Sequence, residues 1–291
     1  MDPNFLLQLL INGVVIGVIY ALVATGLSLV HGVLDIVNFA HGEFYMLGAM
    51  AVFLVTRYLG LNYWISVPLV TAASVVVGFL LYQTLLSSLK QDQFERSILL
   101  TLGLSMVLQN GAVYVFNTTP KIVSTPYTYS NFAIGGLQIP VVRVFALAIG
   151  IAAFVFLYWM LYRTQTGRAM RGVSQSRVAA QMVGIDARSM SRLAVAIGIG
   201  LAGLAGAALA PVYAVHPLMG FSFIFKAFAI IIIGGMGNIM GAAIVAVSLG
   251  VIENLIGGFA SQVAADAFVF CAMIAVLLVK PHGLFGQGMR V

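Results

Sequence analysis

Charged residues are scarce in this sequence. They make up 8% of the 291 positions, whereas 62% are hydrophobic, and a soluble domain carries about 25% charged residues. The scarcity excludes a soluble globular protein and indicates an integral membrane protein. The formal charge of +6 would suggest a nucleic-acid partner for a soluble chain. Here it indicates membrane orientation instead, because cytoplasmic loops retain basic residues.

Several other features are missing. No polar segment is long enough for a separate soluble domain, so we expect residues 1–291 to form a single transmembrane domain. Cys271 is the only cysteine, which excludes a disulfide framework and a cysteine-based zinc site. The sequence also lacks the phosphate-binding loop G-x-x-x-x-G-K-[ST], H-E-x-x-H, C-x-x-C and the nucleophile elbow. We therefore expect no catalytic residue, metal or cofactor, and any driving ATP hydrolysis must belong to another chain.

What the sequence does contain is a series of apolar runs, which predict an all-α polytopic membrane protein of about eight to nine helices. The first run lacks the basic region of a cleaved signal peptide, so we expect it to be a retained span. The seventh run is short and rich in glycine, which predicts a broken or re-entrant element over 221–241. The runs lie near 5–30, 36–56, 63–86, 97–116, 141–162, 192–213, 221–235, 239–258 and 263–280.

Membrane orientation follows from the distribution of basic residues. Six of the fourteen Lys and Arg residues fall between 163 and 192, against the single acid Asp186. By the positive-inside rule this loop, 163–191, is cytoplasmic. The stretch 117–140 then faces outside, and nine crossings would place the N-terminus outside and the C-terminus in the cytoplasm. Other basic residues expected on the cytoplasmic side are Lys90, Arg96, Lys280 and Arg290.

A group of polar residues interrupts the apolar sequence over residues 31–46. Its members are Asp35, Asn38, His41 and Glu43, with Gly42 between the last two. A charged side chain at a bilayer centre costs several kcal/mol, so such residues indicate a broken helix, a wet path or a paired charge. The alternative is a solvated turn between two spans.

A second interruption lies in the other half of the chain, at Gly234, Gly235, Gly237 and Asn238. Glycines weaken a helix, and irregular backbone in a membrane is tolerated only where protein or a water-filled cavity surrounds it. Asn238 could cap the helix that follows. Paired interruptions of this kind predict a transport site, while the alternative is a tight cytosolic hairpin.

The arginine-rich loop has the composition of an amphipathic helix from Arg168 to Val183. Gly184 is suited to end this helix, and Asp186 follows in a Gly-Ile-Asp stop. Such a helix could dock in the groove of a soluble partner or lie on anionic lipid. Its apolar positions are Met170, Val173, Val178 and Met182, and its basic ones are Arg168, Arg171 and Arg177.

Small residues recur every four positions at Gly198, Ala202, Gly206 and Ala210. This spacing allows helix backbones to approach closely within lipid. We therefore expect the helix that contains them to pack inside the bundle.

Taken together, these motifs resemble those of permease subunits of the bacterial ABC importers for branched-chain amino acids and related small amides. The first block reads Asn38-Phe39-Ala40-His41-Gly42-Glu43, followed by Met46 and Gly48-Ala49. The others are the loop 167–186, the pattern Gly234-Gly235-x-Gly237-x-x-x-Gly241 and the closing segment 280–286. Two departures, Ser176 where the family often has asparagine and His282 where it often has arginine, bear on pairing with partner chains.

The resemblance implies a non-enzymatic, multi-pass subunit of the bacterial inner membrane that imports solute by alternating access. Its implied partners are a second related permease, two cytosolic ATP-binding subunits, an extracytoplasmic solute-binding protein and membrane lipid, with no nucleic acid. It implies a path lined by parts of 31–46 and 234–241, and coupling to the ATPases through Arg168, Arg171, Arg177, Gly184 and Asp186. One alternative is an ion-coupled secondary transporter that titrates Glu43, Glu253 or Asp266. Another is a membrane subunit that anchors others without transporting.

Overall fold

The structure is a computed structural model that describes residues 3–89, 94–134 and 137–286. Lys90 and Arg290 lie outside the described residues. Within the described ranges the chain forms eleven α-helices, one two-stranded sheet and a 3-10 turn at Leu86–Ser88. The helices are α1 (Pro3–Leu34), α2 (His41–Tyr58), α3 (Tyr63–Thr84), α4 (Phe94–Phe116), α5 (Val141–Arg163), α6 (Gln165–Gln175), α7 (Arg177–Met182), α8 (Ala187–Leu209), α9 (Met219–Gly234), α10 (Ile239–Phe259) and α11 (Gln262–Val279).

The predicted all-α, multi-pass membrane architecture is confirmed. In the part of the chain that is described, seven helices are long and apolar enough to cross a membrane: α1, α3, α4, α5, α8, α10 and α11. The other two of the nine apolar runs correspond to α2, with 18 residues, and α9, with 16. Helix α9 is about 24 Å long at 1.5 Å per residue, shorter than the roughly 30 Å hydrocarbon core.

Helix α8 forms the centre of the bundle, between α1, α2 and α3. Of its apolar stretch 78% is buried, compared with 11% for that of α11. Its small residues permit backbone contact, since a Cβ at Gly206 would collide with the carbonyl oxygen of Tyr45. Gly198 meets Gly26 of α1 in the same way. The expectation that this helix packs inside the bundle is confirmed.

The sequence did not predict the β-hairpin formed by β1 (Asn131–Ile134) and β2 (Leu137–Pro140). Nearby, the backbones of Lys121 and Val215 pair as an antiparallel bridge, and Gln8 of α1 donates to the carbonyl oxygen of Gln138. We call this the hairpin end of the bundle. The opposite end, where α1 finishes beside α6, we call the α6 end.

The single amphipathic helix expected from Arg168 to Val183 is wrong in its bounds and continuity. The helix begins at Gln165 and breaks at Ser176 into α6 and α7. Ser176 is extended, with φ −160°, and its hydroxyl accepts a hydrogen bond from the backbone N–H of Ala179. Serine competes for backbone hydrogen bonds and so favours helix caps over helix interiors, which explains the break.

Candidate functional site

The first interruption lies inside the bundle. Helix α1 ends at Leu34, and Asp35 is exposed in a left-handed conformation with φ +56°. Helix α2 then starts at His41, whose Nε2 donates to the carbonyl oxygen of Val23 at 3.2 Å. Val23 is eleven residues before the end of α1, or about 16 Å along that helix. The chain therefore re-enters the bundle in extended form and begins α2 near mid-depth.

Thr101 of α4 holds this re-entrant segment. Its hydroxyl accepts from the N–H of Phe39 at 3.2 Å. The hydroxyl proton can be shared between the carbonyl oxygens of Ser97, at 2.8 Å, and Val37, at 3.1 Å. Asn38 accepts from the N–H of Ala40 at 3.1 Å. Irregular backbone in a membrane must find such partners, because water is scarce there. Sequence reasoning missed Thr101, which carries no local signal.

Three of the predicted polar site residues in this segment are fully buried, whereas Asp35 is exposed. Asn38, His41 and Glu43 are each 0% exposed, so the alternative of a solvated turn is wrong for all three. Each retains one polar atom without a hydrogen-bond partner among the described residues, namely Asn38 Nδ2, His41 Nδ1 and Glu43 Oε2. Leaving a buried polar group unpaired costs about 1–3 kcal/mol. Such groups are expected where water or a solute supplies the missing bond.

Glu43 lies where the first turns of α2 and α9 cross. Its Oε1 accepts from the hydroxyl of Ser105 at 2.9 Å. A Cβ at Gly220 would lie 2.7 Å from Glu43 Oε2, and a Cβ at Gly42 would collide with the carbonyl oxygen of Gly220. Glycine is required at this crossing because the two backbones are in contact. His41 contacts α1 on another side of α2, so His41 and Glu43 do not form one site.

The second interruption is the turn between α9 and α10, at the α6 end. Gly235 has φ +95°, a conformation that favours glycine. Asn238 accepts from the N–H of Gly241 at 2.9 Å and donates to the carbonyl oxygen of Phe285 at 2.8 Å. The predicted cap is therefore confirmed, and both polar atoms of Asn238 have partners. A tight hairpin is the correct local description of this segment, with Gly234 packed against Gly241.

The structure brings the two interruptions together. A Cβ at Gly32, near the end of α1, would lie 3.3 Å from the Cα of Gly237. On one side of this contact lies a groove of about 570 Å³, which we call the apolar groove. Residues of α9, α4 and α11 line this groove. They include Ile98, Phe225, Phe228, Phe270 and Met273, together with Phe39 from the segment before α2.

On the other side lies a cavity of about 720 Å³, which we call the polar chamber. Its lining includes Asp35, Arg171, Ser174, Arg177 and Asn238. His31, Met236 and Gly286 line both cavities, so the apolar groove and the polar chamber adjoin at these three residues.

Helices α6 and α7 present the predicted coupling residues in different surroundings. The Arg171 guanidinium stacks 4.7 Å from the ring centroid of Tyr162, while Arg168 is exposed. Gly184, with φ +83°, follows α7 as predicted. Asp186 caps α8 by accepting from the N–H of Arg188.

The apolar positions expected along this segment divide into two groups. Met170 and Val173 of α6 are buried. Val178 and Met182 of α7 are 63% and 82% exposed, and the adjacent Val183 is also exposed. We call Val178, Met182 and Val183 the α7 patch.

Sequence reasoning missed one charged cluster. Lys226 Nζ lies 2.6 Å from Glu253 Oε1 and 2.9 Å from Asp266 Oδ1, which joins α9, α10 and α11. Tyr20 and Gln262 also donate to Glu253 Oε1. The sequence signal that could have revealed this cluster is Lys226 itself, the single lysine in the seventh apolar run.

Comparison with known proteins places the chain in a family. A family model described as "Branched-chain amino acid transport system / permease component" matches residues 9–278. BraD of Pseudomonas aeruginosa, a high-affinity branched-chain amino acid transport system permease protein, is 29% identical over 97% of this chain and 96% of its own length. Its counterpart LivH of Escherichia coli K12 is 30% identical, with 99% and 98% covered. LivM, a permease protein of the same description in that organism, is 25% identical, with 91% and 67% covered. The chain therefore belongs to the family of permease components of branched-chain amino acid transport systems.

Proposed function

We propose that this chain is the membrane permease subunit of an ATP-driven importer of branched-chain amino acids. The observation that carries the proposal is the family match over residues 9–278. We further propose that the protein acts as one transmembrane domain in the bacterial inner membrane. Six of its basic residues lie at or near the α6 end, between 163 and 192, so this end faces the cytoplasm by the positive-inside rule.

The apolar groove and the polar chamber form this chain's half of the translocation path. An aliphatic side chain crosses the groove against Phe225, Phe228 and Phe270, and the solute leaves through the chamber beside Asp35 and Arg171. The unpaired buried atoms of Asn38 and Glu43 supply hydrogen bonds at mid-depth as the path opens. The path opens alternately to either side, as the family resemblance implies.

A second, related permease closes the open side of the apolar groove. Helix α11 borders the groove, and only 11% of its apolar stretch is buried within this chain. Escherichia coli K12 has two relatives of this chain, LivH and LivM, both described as permease proteins of a branched-chain amino acid transport system. A pair of different permeases is consistent with that observation.

The α7 patch is the docking surface for a cytosolic ATPase. Exposed apolar residues beside arginines are typical of a contact with another protein. Val178 and Met182 lie beside the half-buried Arg177 on a short helix at the cytoplasmic face. Because α6 packs on α5 and lines the polar chamber, movement of this contact is transmitted to the solute exit. An extracytoplasmic solute-binding protein delivers solute at the hairpin end.

The test is to isolate the protein from native membranes and assay ATPase activity in the recovered material. We expect a second permease-like chain and a nucleotide-hydrolysing subunit to be recovered with it. The variant Val178→Glu should lose the ATPase subunit. Gln181→Glu, which adds the same charge at an exposed position of α7, should retain it. A protein that is recovered alone and carries solute on an ion gradient would overturn the proposal.

A further inference from the structure

The cluster of Lys226, Glu253 and Asp266 carries an unbalanced charge where α9, α10 and α11 meet. One ammonium faces two carboxylates, at 2.6 Å and 2.9 Å. Glu253 lies six residues before the end of α10 and Asp266 four residues after the start of α11. The cluster therefore lies one to two helical turns inside the ends of α10 and α11, on the side of the hairpin end. Charges within apolar, membrane-spanning helices are costly and indicate pairing or a polar pathway.

Both carboxylate groups have capacity for a further ligand. Glu253 has a side chain only 8% exposed, and its Oε2 has no hydrogen-bond partner among the described residues. The Asp266 side chain is 43% exposed. An ion cluster that served only to fasten three helices together would be expected to balance its charges and enclose them. This cluster instead presents a net negative charge and an open carboxylate.

The cluster neighbours the apolar groove through Asp266, although none of its three charged residues belongs to the groove lining. Asp266, Phe270, Met273 and Leu277 are spaced four, three and four residues apart, so they share one face of α11, and the last three line the groove. On α9, Phe225 and Phe228 also line the groove, and Lys226, on another face of that helix, reaches Asp266 with its ammonium at 2.9 Å. Asp266 therefore lies about one helical turn, ~5.4 Å, beyond Phe270 towards the hairpin end, and Lys226 joins it to Glu253.

We propose that Lys226, Glu253 and Asp266 bind the charged groups of an α-amino acid whose apolar side chain lies in the groove. The solute ammonium pairs with Asp266 and Glu253 Oε2, and the solute carboxylate pairs with Lys226. One ion pair, between Lys226 and Asp266, opens and three form, so the cluster binds the zwitterion without requiring new charges in the protein. Phe225 and Phe270 then contact the aliphatic side chain.

This inference rests on the proposed function and narrows its substrate class. A zwitterion with an apolar side chain forms ion pairs with the charged cluster and fills the apolar groove. An uncharged small amide provides neither an ammonium for Asp266 nor a carboxylate for Lys226. Lys226 is thus a specificity-determining residue for the transported solute.

The test uses the complete transport complex in proteoliposomes, with L-leucine bound to its solute-binding protein. Asp266→Asn should lower the maximal uptake rate at least ~10-fold, which corresponds to about 1.4 kcal/mol. The half-saturating concentration of loaded binding protein should not change, and ATP hydrolysis should continue. Asp266→Glu, which keeps the charge, should recover part of the rate. Cys271→Ser, an exposed position elsewhere on α11, serves as the matched control and should behave as wild type.

A second measurement does not depend on transport. In the Cys271→Ser background, Phe270→Cys places a thiol in the groove beside the cluster. Millimolar leucine should slow its labelling by a small thiol reagent several-fold. Leucinamide, which has an ammonium but no carboxylate, should leave the labelling rate unchanged, and Lys226→Met should abolish the protection.

Three outcomes would overturn the inference. Equal protection by leucine and leucinamide would exclude recognition of the carboxylate by Lys226. Unchanged leucine uptake in Asp266→Asn would exclude the cluster from the path while leaving the proposed function intact. The third outcome combines two results. Asp266→Asn loses uptake, ATPase activity and assembled complex in parallel, and leucine does not protect the Phe270→Cys thiol when the cluster is intact. The cluster would then only stabilise the packing of the three helices. A wild-type complex that carries acetamide but not leucine would instead overturn the proposed substrate itself.

Discussion

The two interruptions of the apolar sequence differ in how the protein satisfies their polar atoms. Between α1 and α2, the chain re-enters the bundle, and Asn38, His41 and Glu43 are each 0% exposed, each with one polar atom unpaired among the described residues. Between α9 and α10, the turn lies at the α6 end, and Asn238 has partners for both its oxygen and its nitrogen. In sequence the two segments resemble each other, with glycine and asparagine in apolar surroundings.

The difference ranks the two interruptions as candidates for a direct role in transport. A satisfied turn stabilises the fold by itself, and its capping residue is explained by the helix that it begins. Buried polar atoms without partners lower stability, so their presence requires another explanation. The re-entrant segment before α2 is therefore the stronger candidate for direct contact with water and solute, and the 235–238 turn is the stronger candidate for positioning.

Leucine substitutions at one glycine in each segment should give the largest contrast. Gly42→Leu places a Cβ against the carbonyl oxygen of Gly220, so α2 and α9 must separate, and we expect loss of assembled protein and of uptake. Gly237→Leu meets only the Cα of Gly32, at 3.4 Å, although its φ of +80° is strained for leucine. That strain costs about 1–3 kcal/mol, and most uptake should remain. The measurement is the yield of assembled complex together with leucine uptake. Equal losses in the two variants would contradict the distinction.

A charge reversal beside the 235–238 turn tests whether the polar chamber is coupled to the partner ATPase. Arg171→Glu removes the contact with Tyr162 and reverses one charge of the chamber wall. We expect ATP hydrolysis to persist while uptake falls at least ~10-fold, with the protein still in the membrane. Gln165→Glu, an exposed position at the start of α6, is the control. Normal coupling in Arg171→Glu would refute the assignment of α6.

A nearly isosteric substitution separates function from stability at the re-entrant segment. Glu43→Gln keeps the hydrogen bond from Ser105 but removes a buried ionisable group, so the free energy of unfolding should be unchanged or higher. Uptake should nevertheless fall, by up to ~10-fold, because the path loses its mid-depth carboxylate. Thermal denaturation and uptake of the same preparation provide the measurement. A variant that is more stable and fully active would remove Glu43 from the path.

The smallest effect is expected at the capping residue of the second interruption. Asn238→Ala removes a helix cap and a bond to Phe285 and should cost about 1–2 kcal/mol of stability. Uptake per assembled complex should not change. Ser261→Ala removes only the cap of α11 and should cost less. A specific loss of uptake in Asn238→Ala, at normal stability, would place this turn in the path.

Much of the fold could be predicted from sequence because hydrocarbon imposes a length on each crossing segment. The nine apolar runs correspond to α1–α5 and α8–α11. The β-hairpin was not predicted, because Asn131–Ile134 and Leu137–Pro140 are only four residues each. The division of the amphipathic segment at Ser176 was also missed, since the composition on both sides of this residue favours a helix.

The candidate site could be predicted only in part. The polar residues of the first interruption stood out against apolar neighbours, and so did the glycines of the second. Lys226 was missed because its partners Glu253 and Asp266 are distant in sequence and belong to two other helices. Thr101 was missed for the same reason, since its partners lie in the segment after α1.

The sequence by itself determined the membrane class, the number of apolar segments, the caps at Asn238 and Gly184, and the family resemblance. These properties depend on composition and on neighbours a few residues apart. Only the tertiary structure decided that α2 begins inside the bundle, that Gly42 meets Gly220, and that Lys226 joins three helices. The physical reason is that hydropathy acts along the chain, whereas the partner of a buried polar group is set by the packing of distant segments.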